Sequence, residues 1–491
     1  MKQNSVIAGT LSLILLLTAI SCTPTAQEGG GIGGTGRVSS VSSGPITDFG
    51  SVFVSGVEYE TNSTVFIVDG QSGVTQNELK KGMVVLVEAT LLKDNVTKAI
   101  LKRTADRISY SDTVEGPVQA IEASGRTLTV MGQTILVTDK TVIDDSVPGG
   151  DLTSLVPNVD VVEVSGFISG DGVLIATLID RKAGAPEYEL KGLVKNHDTG
   201  SQTFQIGHLT ISYNGADISG MPNPTVTVWN GLPVHLFGDQ FSLTTPGQLD
   251  GHLHATSVAP ESFGVQENTL AEIEGFISQI VSPNSFLVGH ILVQFDTQTV
   301  FEGGTATDLG PGVRVEVEGE VSGNILFARM IELSSPVKLE ADLATINTLD
   351  GISGTLTLTG LTSTVVHVTA QTQFKGQGAP LHMGDLSVGD HLTVRGEPFG
   401  NEALATEITR QPASSAVVLQ GPVNTTSPPS IVILGTSVNT TPLPESAFRQ
   451  ADDSPIGRTA FFAAALPGVI VEVEGMRMGG SIEWQEIELQ H

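Results

Sequence analysis

The chain has 491 residues, 40% of them apolar and 16% charged, with 56 glycines and a single cysteine. Twenty-four basic residues against 53 acidic ones give a net charge of -29, a surface that repels phosphate backbones and argues against nucleic acid as a partner. Such a composition suits many short strands and turns, and it excludes both a largely disordered chain and a disulfide framework.

Lys2, the apolar run from Val6 to Ile20 and the small residues of Ala19-Ile20-Ser21-Cys22 come first. Together they resemble a bacterial lipoprotein signal peptide with its lipobox. That resemblance implies a cleaved leader (1–22) and lipidation of Cys22, with Thr23 in place of aspartate implying delivery to the outer membrane. An ordinary secretory signal or an uncleaved membrane anchor would leave Cys22 unmodified; the short apolar run and the small residues before the cysteine favour the lipoprotein reading. Residues 23–43 are rich in Gly, Ser and Thr and read as a flexible tether. Within them Gly31-Ile32-Gly33-Gly34-Thr35-Gly36 matches a dinucleotide fingerprint, yet no strand precedes it and no helix follows, so it carries no phosphate site.

Beyond the tether one phrase recurs. It is Val315-Glu316-Val317-Glu318-Gly319 in its clearest form, with counterparts starting at Val85, Val162, Val234, Leu392 and Val471, seventy-two to eighty-one residues apart. Its first and third residues are apolar, which predicts a strand with one buried face, and Gly or Ala is expected to end it. Each copy also has an early strand carrying a glycine, as at Gly44, Gly116 and Gly275 (Ala341 takes its place in the fifth), then a hairpin with a central glycine such as Gly56 or Gly132. A Thr-apolar phrase (Thr64, Thr141, Thr299, Thr372), a looser connection and a last strand with an Ala-x-x-aliphatic pair complete the unit.

The predicted fold is therefore all-β: a tandem array of six small five-stranded OB-like barrels at 44–108, 114–182, 188–260, 270–334, 337–411 and 416–491. Trp484 in place of the alanine makes the sixth unit atypical. Short links such as 183–186 and 411–415 predict a semi-rigid rod. The stretches Gly44 to Thr61, Leu79 to Ala89 and Val114 to Asp144 resemble domain-of-unknown-function family 5666, found repeated in exported bacterial proteins. The resemblance is clear over Gly44 to Arg181 and fades afterwards; it implies modular, exported and β-rich, and brings no catalytic residue.

The search for chemistry yields little. His252 and His254 share one face of a strand without further ligands nearby, and Asp69-Gly70, Asp171-Gly172 and Asp350-Gly351 read as turns before they read as calcium loops. Glu316 with Glu318, and Glu472 with Glu474, face one side of a strand, the arrangement of a solvated barrel face more than of a glycosidase pair. No metal, cofactor or catalytic residue is assigned, and no enzyme activity is expected. The expectation is a lipid-anchored outer-membrane spacer or scaffold for an envelope protein partner. The alternative is a ligand-binding lipoprotein for an envelope glycan or small molecule, with Trp229 the first residue to inspect; a concave aromatic groove shared by modules would favour it, and convex acidic surfaces would favour the scaffold.

Overall fold

The computed structural model describes residues 37–490 apart from 95–96, 98, 123–125, 171–172, 185–186, 245–248, 262–268, 349–352, 370–371, 377–381 and 452–453. Cys22, the stretch read as a leader (1–22) and the glycine run 31–36 lie outside the described residues.

Module 2 shows the shared plan. Its strands are Val114–Ile121, Thr127–Val130, Gln133–Ile143, Val161–Gly170 and Val173–Lys182. They pair in the order 1-2-3-5-4, the third runs parallel to the fifth, and the fourth closes onto the first through Glu163↔Glu115. This is the OB barrel, whose closure leaves only a short edge of the first strand free. Modules 4 and 5 close in the same way. In module 6 the third strand, Thr436–Asn439, pairs only with the second among the described pairings, and a short helix, Arg458–Ala464, fills the long connection.

The repeated residues have specific work in this plan. In the recurring phrase the first and third side chains go inward, as Val315 and Val317 do, and join the barrel core. The following Gly does not end the strand. It sits at a register shift in every module that has it, and the strand runs on, as in Arg314–Ser322. A Cβ there would stand 2.3 Å from the Ile175 carbonyl at Gly166, 2.1 Å from that of Phe327 at Gly319 and 2.0 Å from that of Leu404 at Gly396. The Thr of the Thr-apolar phrase donates its hydroxyl to the carbonyl of the last strand's alanine. The distances are 2.7 Å for Thr64 and Ala105, 2.6 Å for Thr141 and Ala176, 2.8 Å for Thr299 and Ala328, and 2.8 Å for Thr372 and Ala405. Two separated motifs are thus one hydrogen bond, tying the entry to the long connection onto the fifth strand.

Two expectations are corrected. The first strand begins at Arg37, inside the stretch read as tether, because residues 37–45 find partners on both sides: residues 84–92 of the same module, and Leu270 to Ile273 of module 4. Nor do the modules form a rod. Modules 2 and 3 share a sheet, as do 5 and 6, but module 1 pairs with module 4 through the parallel register Ser40↔Leu270 to Ser43↔Ile273. Backbone groups left exposed on the first strands take each other as partners, and the array folds back on itself. A separate apolar cluster of Leu136, Ile175, Phe276, Phe399 and Leu404 then joins modules 2, 4 and 5 outside their barrel cores.

Candidate functional site

Where modules 1, 2, 4 and 5 meet they leave a cleft of about 620 Å³, within the range of small-molecule sites. Module 1 gives it Ile46, Ser55 and Lys81; module 2 gives Lys140, Phe167, Ile175 and Thr177; module 4 gives Glu274, Phe276, Arg314, Glu316 and Glu332; module 5 gives Glu397. Phe167 and Phe276 form one wall with ring centroids 5.8 Å apart.

The strand pairing of module 4 places the charges. Glu274 lies opposite Glu316, and Glu316 opposite Glu332, so three carboxylates stand in one row across adjacent strands. Arg314 pairs with Glu274 and its Nη1 lies 4.0 Å from Glu397 Oε2. Burial opposes the charge on Glu274, but the Arg314 guanidinium wins and holds that carboxyl below its usual value. Glu397 is 5% exposed and receives no hydrogen bond among the described residues; burial raises its pKa against the pull of Arg314. Lys140 is pushed down by burial and by Arg314. Glu316 is pushed up to about 7 by burial and by the charges of Glu272, Glu274, Glu332 and Glu318. Ser55 Oγ, beside Glu274, and Thr177 Oγ1 are buried in this region without a hydrogen bond of acceptable geometry.

A second cavity of about 440 Å³ shares Phe167 and Glu274 with the first. Beside it lie five carboxyls, Asp69, Asp112, Glu115, Glu163 and Glu189, of which Asp112, Glu163 and Glu189 are almost fully buried. Asp69, Asp112 and Glu189 bring oxygens within 4.8 Å of one another, as do Asp112, Glu115 and Glu163, so either trio is able to hold a cation. Internal partners already reduce the charge. Lys182 pairs with Glu163, and burial together with Glu163 keeps Asp112 protonated well above the usual carboxylate range. Tyr110 Oη lies 2.6 Å from Glu163 and 2.8 Å from Asp112; one hydroxyl proton serves one of them and the Asp112 proton the other. Burial also pushes Asp69 up to about 6, helped by Glu163 and Glu189.

Of the residues singled out in the sequence, Asp69 and Glu316 line these two cavities, and the others among the described residues fall elsewhere. Trp229 is 0% exposed, stacked on His197 at 4.4 Å with its indole nitrogen donating to the Pro222 carbonyl at 2.8 Å. It plugs the barrel of module 3 and presents no face to a ligand. His254 is engaged by Asp239 at 2.8 Å and by the Asn214 carbonyl at 3.1 Å, while His252 faces solvent. Asp69-Gly70 is a tight turn with φ of 49° and 72°; residues 171–172 and 350–351 lie outside the described residues. Glu472 takes the Lys338 ammonium at 2.9 Å, and Glu318 and Glu474 are exposed. Glu316 is the exception to the solvated-face reading, because folding back brings modules 1 and 2 over it. Arg314 had a signal, since the residue before the phrase is Val84, Val161, Pro233, His391 or Ile470 in the other copies. Lys140 and Glu397 had none, because their setting exists only once four modules pack.

Fold and junction define a protein of tandem OB-like barrels with a shared cleft. The family model described as Domain of unknown function (DUF5666) matches residues 35–100, 115–180, 274–332 and 344–409, just over half of the chain. The chain belongs to that family. These stretches fall in modules 1, 2, 4 and 5, the four that line the cleft, and the likeness thus extends well past Arg181. No curated protein matches the chain.

Proposed function

We propose that this chain is a lipid-anchored, non-enzymatic binding protein of the bacterial outer membrane, and that its ligand site is the cleft at the junction of modules 1, 2, 4 and 5. The observation that carries the reading is the cleft itself: about 620 Å³ of concave space with apolar walls and a few buried polar groups, the composition of a small-molecule pocket. Buried polar atoms without partners, Thr177 Oγ1 above all, are what a ligand's hydrogen bonds would satisfy. Anchoring rests on Cys22 and its preceding small residues, and the lipid would hold the body in the envelope, where the protein also meets any envelope protein partner. A spacer needs length, and the pairing of module 1 with module 4, which shortens the array, favours the binding reading over it.

The test is a fragment screen by ligand-observed NMR on the mature chain in detergent, repeated on Thr177→Trp, whose indole would project into the cleft and obstruct it. Fragments that bind the wild type and are lost in the variant support the site. A chain that binds no fragment, or binds them equally after Thr177→Trp, contradicts it.

A further inference from the structure

Resting on that binding reading, we propose that the cleft takes a small organic cation, an amine carried on an apolar body. The argument is a balance of charge and of hydrogen-bonding groups. Arg314 is matched by Glu274, Lys81 by Asp48 at 2.8 Å, and Lys140 faces the opposing charges of Glu397 and Glu274. Glu316 and Glu332 remain, opposite each other on neighbouring strands and, among the described residues, with no lysine, arginine or histidine within ion-pair distance. The row they share with Glu274 is crowded with like charge, which a bound ammonium relieves. Glu397, 5% exposed and lining the same space, has the Arg314 guanidinium 4.0 Å away, and its carboxylate accepts no hydrogen bond among the described residues, so a ligand N–H has an acceptor there. Across from these groups Phe167, Phe276 and Ile175 present ring and aliphatic surface suited to a hydrocarbon body.

A bare metal ion fits this cleft less well. Its carboxylates are not among the groups whose oxygens converge within 4.8 Å; those lie around Asp112. An anion would have to sit beside Glu316 and Glu332 in a protein of net charge -29, whereas that same field draws cations in.

The experiment is isothermal titration calorimetry on the full mature chain in detergent at pH 8, using hexylamine, hexan-1-ol and hexanoate, which share a chain and differ in the head group. The expected result is heat from hexylamine alone. Glu316→Gln and Glu332→Gln should each weaken it about tenfold or more, the loss of one charge-assisted hydrogen bond. Removing like charge should leave both variants at least as heat-stable as the wild type, so weakened binding is not unfolding. Hexanol or hexanoate binding as well as hexylamine, hexylamine failing to bind, or equal affinity in both variants each overturns the cation assignment. Those results leave the binding reading standing so long as the fragment screen succeeds; an empty screen fails the broader reading separately.

Discussion

Arg314→Met keeps most of the side chain's length and removes its charge, which leaves Glu274 and Glu397, with side chains 12% and 7% exposed, without their strongest nearby cation. Removing one partner of a buried ion pair costs about 3–5 kcal/mol. Six modules need not unfold in one step, so the readout must be local. Hydrogen exchange followed by mass spectrometry on peptides from Thr269–Ser282 and Arg314–Ser322 supplies it. The opening free energy of these strands should fall by about 3 kcal/mol at pH 7. In the wild type the folded-state pKa of Glu274 lies below its ordinary value. Its contribution is therefore present above the unfolded-state pKa of about 4.3 and lost as pH falls through the folded value. The deficit of Arg314→Met should accordingly be largest at neutral pH and shrink below about pH 4.5. Adding Glu274→Gln should recover most of it. A change of less than about 1 kcal/mol at pH 7 would refute the reasoning, since that is the size of an exposed pair.

Other predictions follow from the same structure. Gly319→Ala sets a Cβ 2.1 Å from the Phe327 carbonyl and should destabilise module 4 by on the order of 3 kcal/mol, seen as faster exchange in Ile325–Ser334. Thr141→Val keeps the shape but loses the bond to the Ala176 carbonyl, and about 1 kcal/mol in the exchange of Val173–Lys182 is expected. Asp112 has a folded pKa raised far above its unfolded one by burial and Glu163, so its contribution is fully present below about pH 4 and is lost as pH rises. Asp112→Asn should thus stabilise modules 1 and 2 by about 1–3 kcal/mol at pH 8 and by little at pH 4, measured by thermal melts across pH. With Glu316 titrating at about 7, hexylamine affinity should rise about tenfold from pH 6 to pH 8 and then level off. Cys22→Ala should move the protein from the membrane fraction to the soluble one on cell fractionation.

Much of the fold was legible because a barrel strand writes its buried face into alternate residues. Val315 and Val317 are inward for that reason, and the hairpin glycines Gly56 and Gly132 take the positive φ that tight turns need. The role of the phrase's glycine was misread, since a bulge and a strand end both select Gly and only the partner carbonyl distinguishes them. Pairing of module 1 with module 4 left no mark on spacing, because any first strand of a barrel carries the same backbone donors and acceptors. The site was hidden for the same reason. Glu316 is one carboxylate of an ordinary exposed pattern until residues over 100 positions away cover it, and Trp229, the residue type best suited to a ligand platform, was spent on filling a barrel.

Everything proposed for the cleft depends on the array folding back, and small-angle X-ray scattering of the mature chain in solution tests that most directly. A compact body of this length has a radius of gyration on the order of 25 Å. A value near that, with a single-peaked distance distribution, is the predicted result. A radius above roughly 35 Å with the long tail of an extended particle, the signature of six barrels set end to end, would contradict the pairing of modules 1 and 4 and remove the cleft with it.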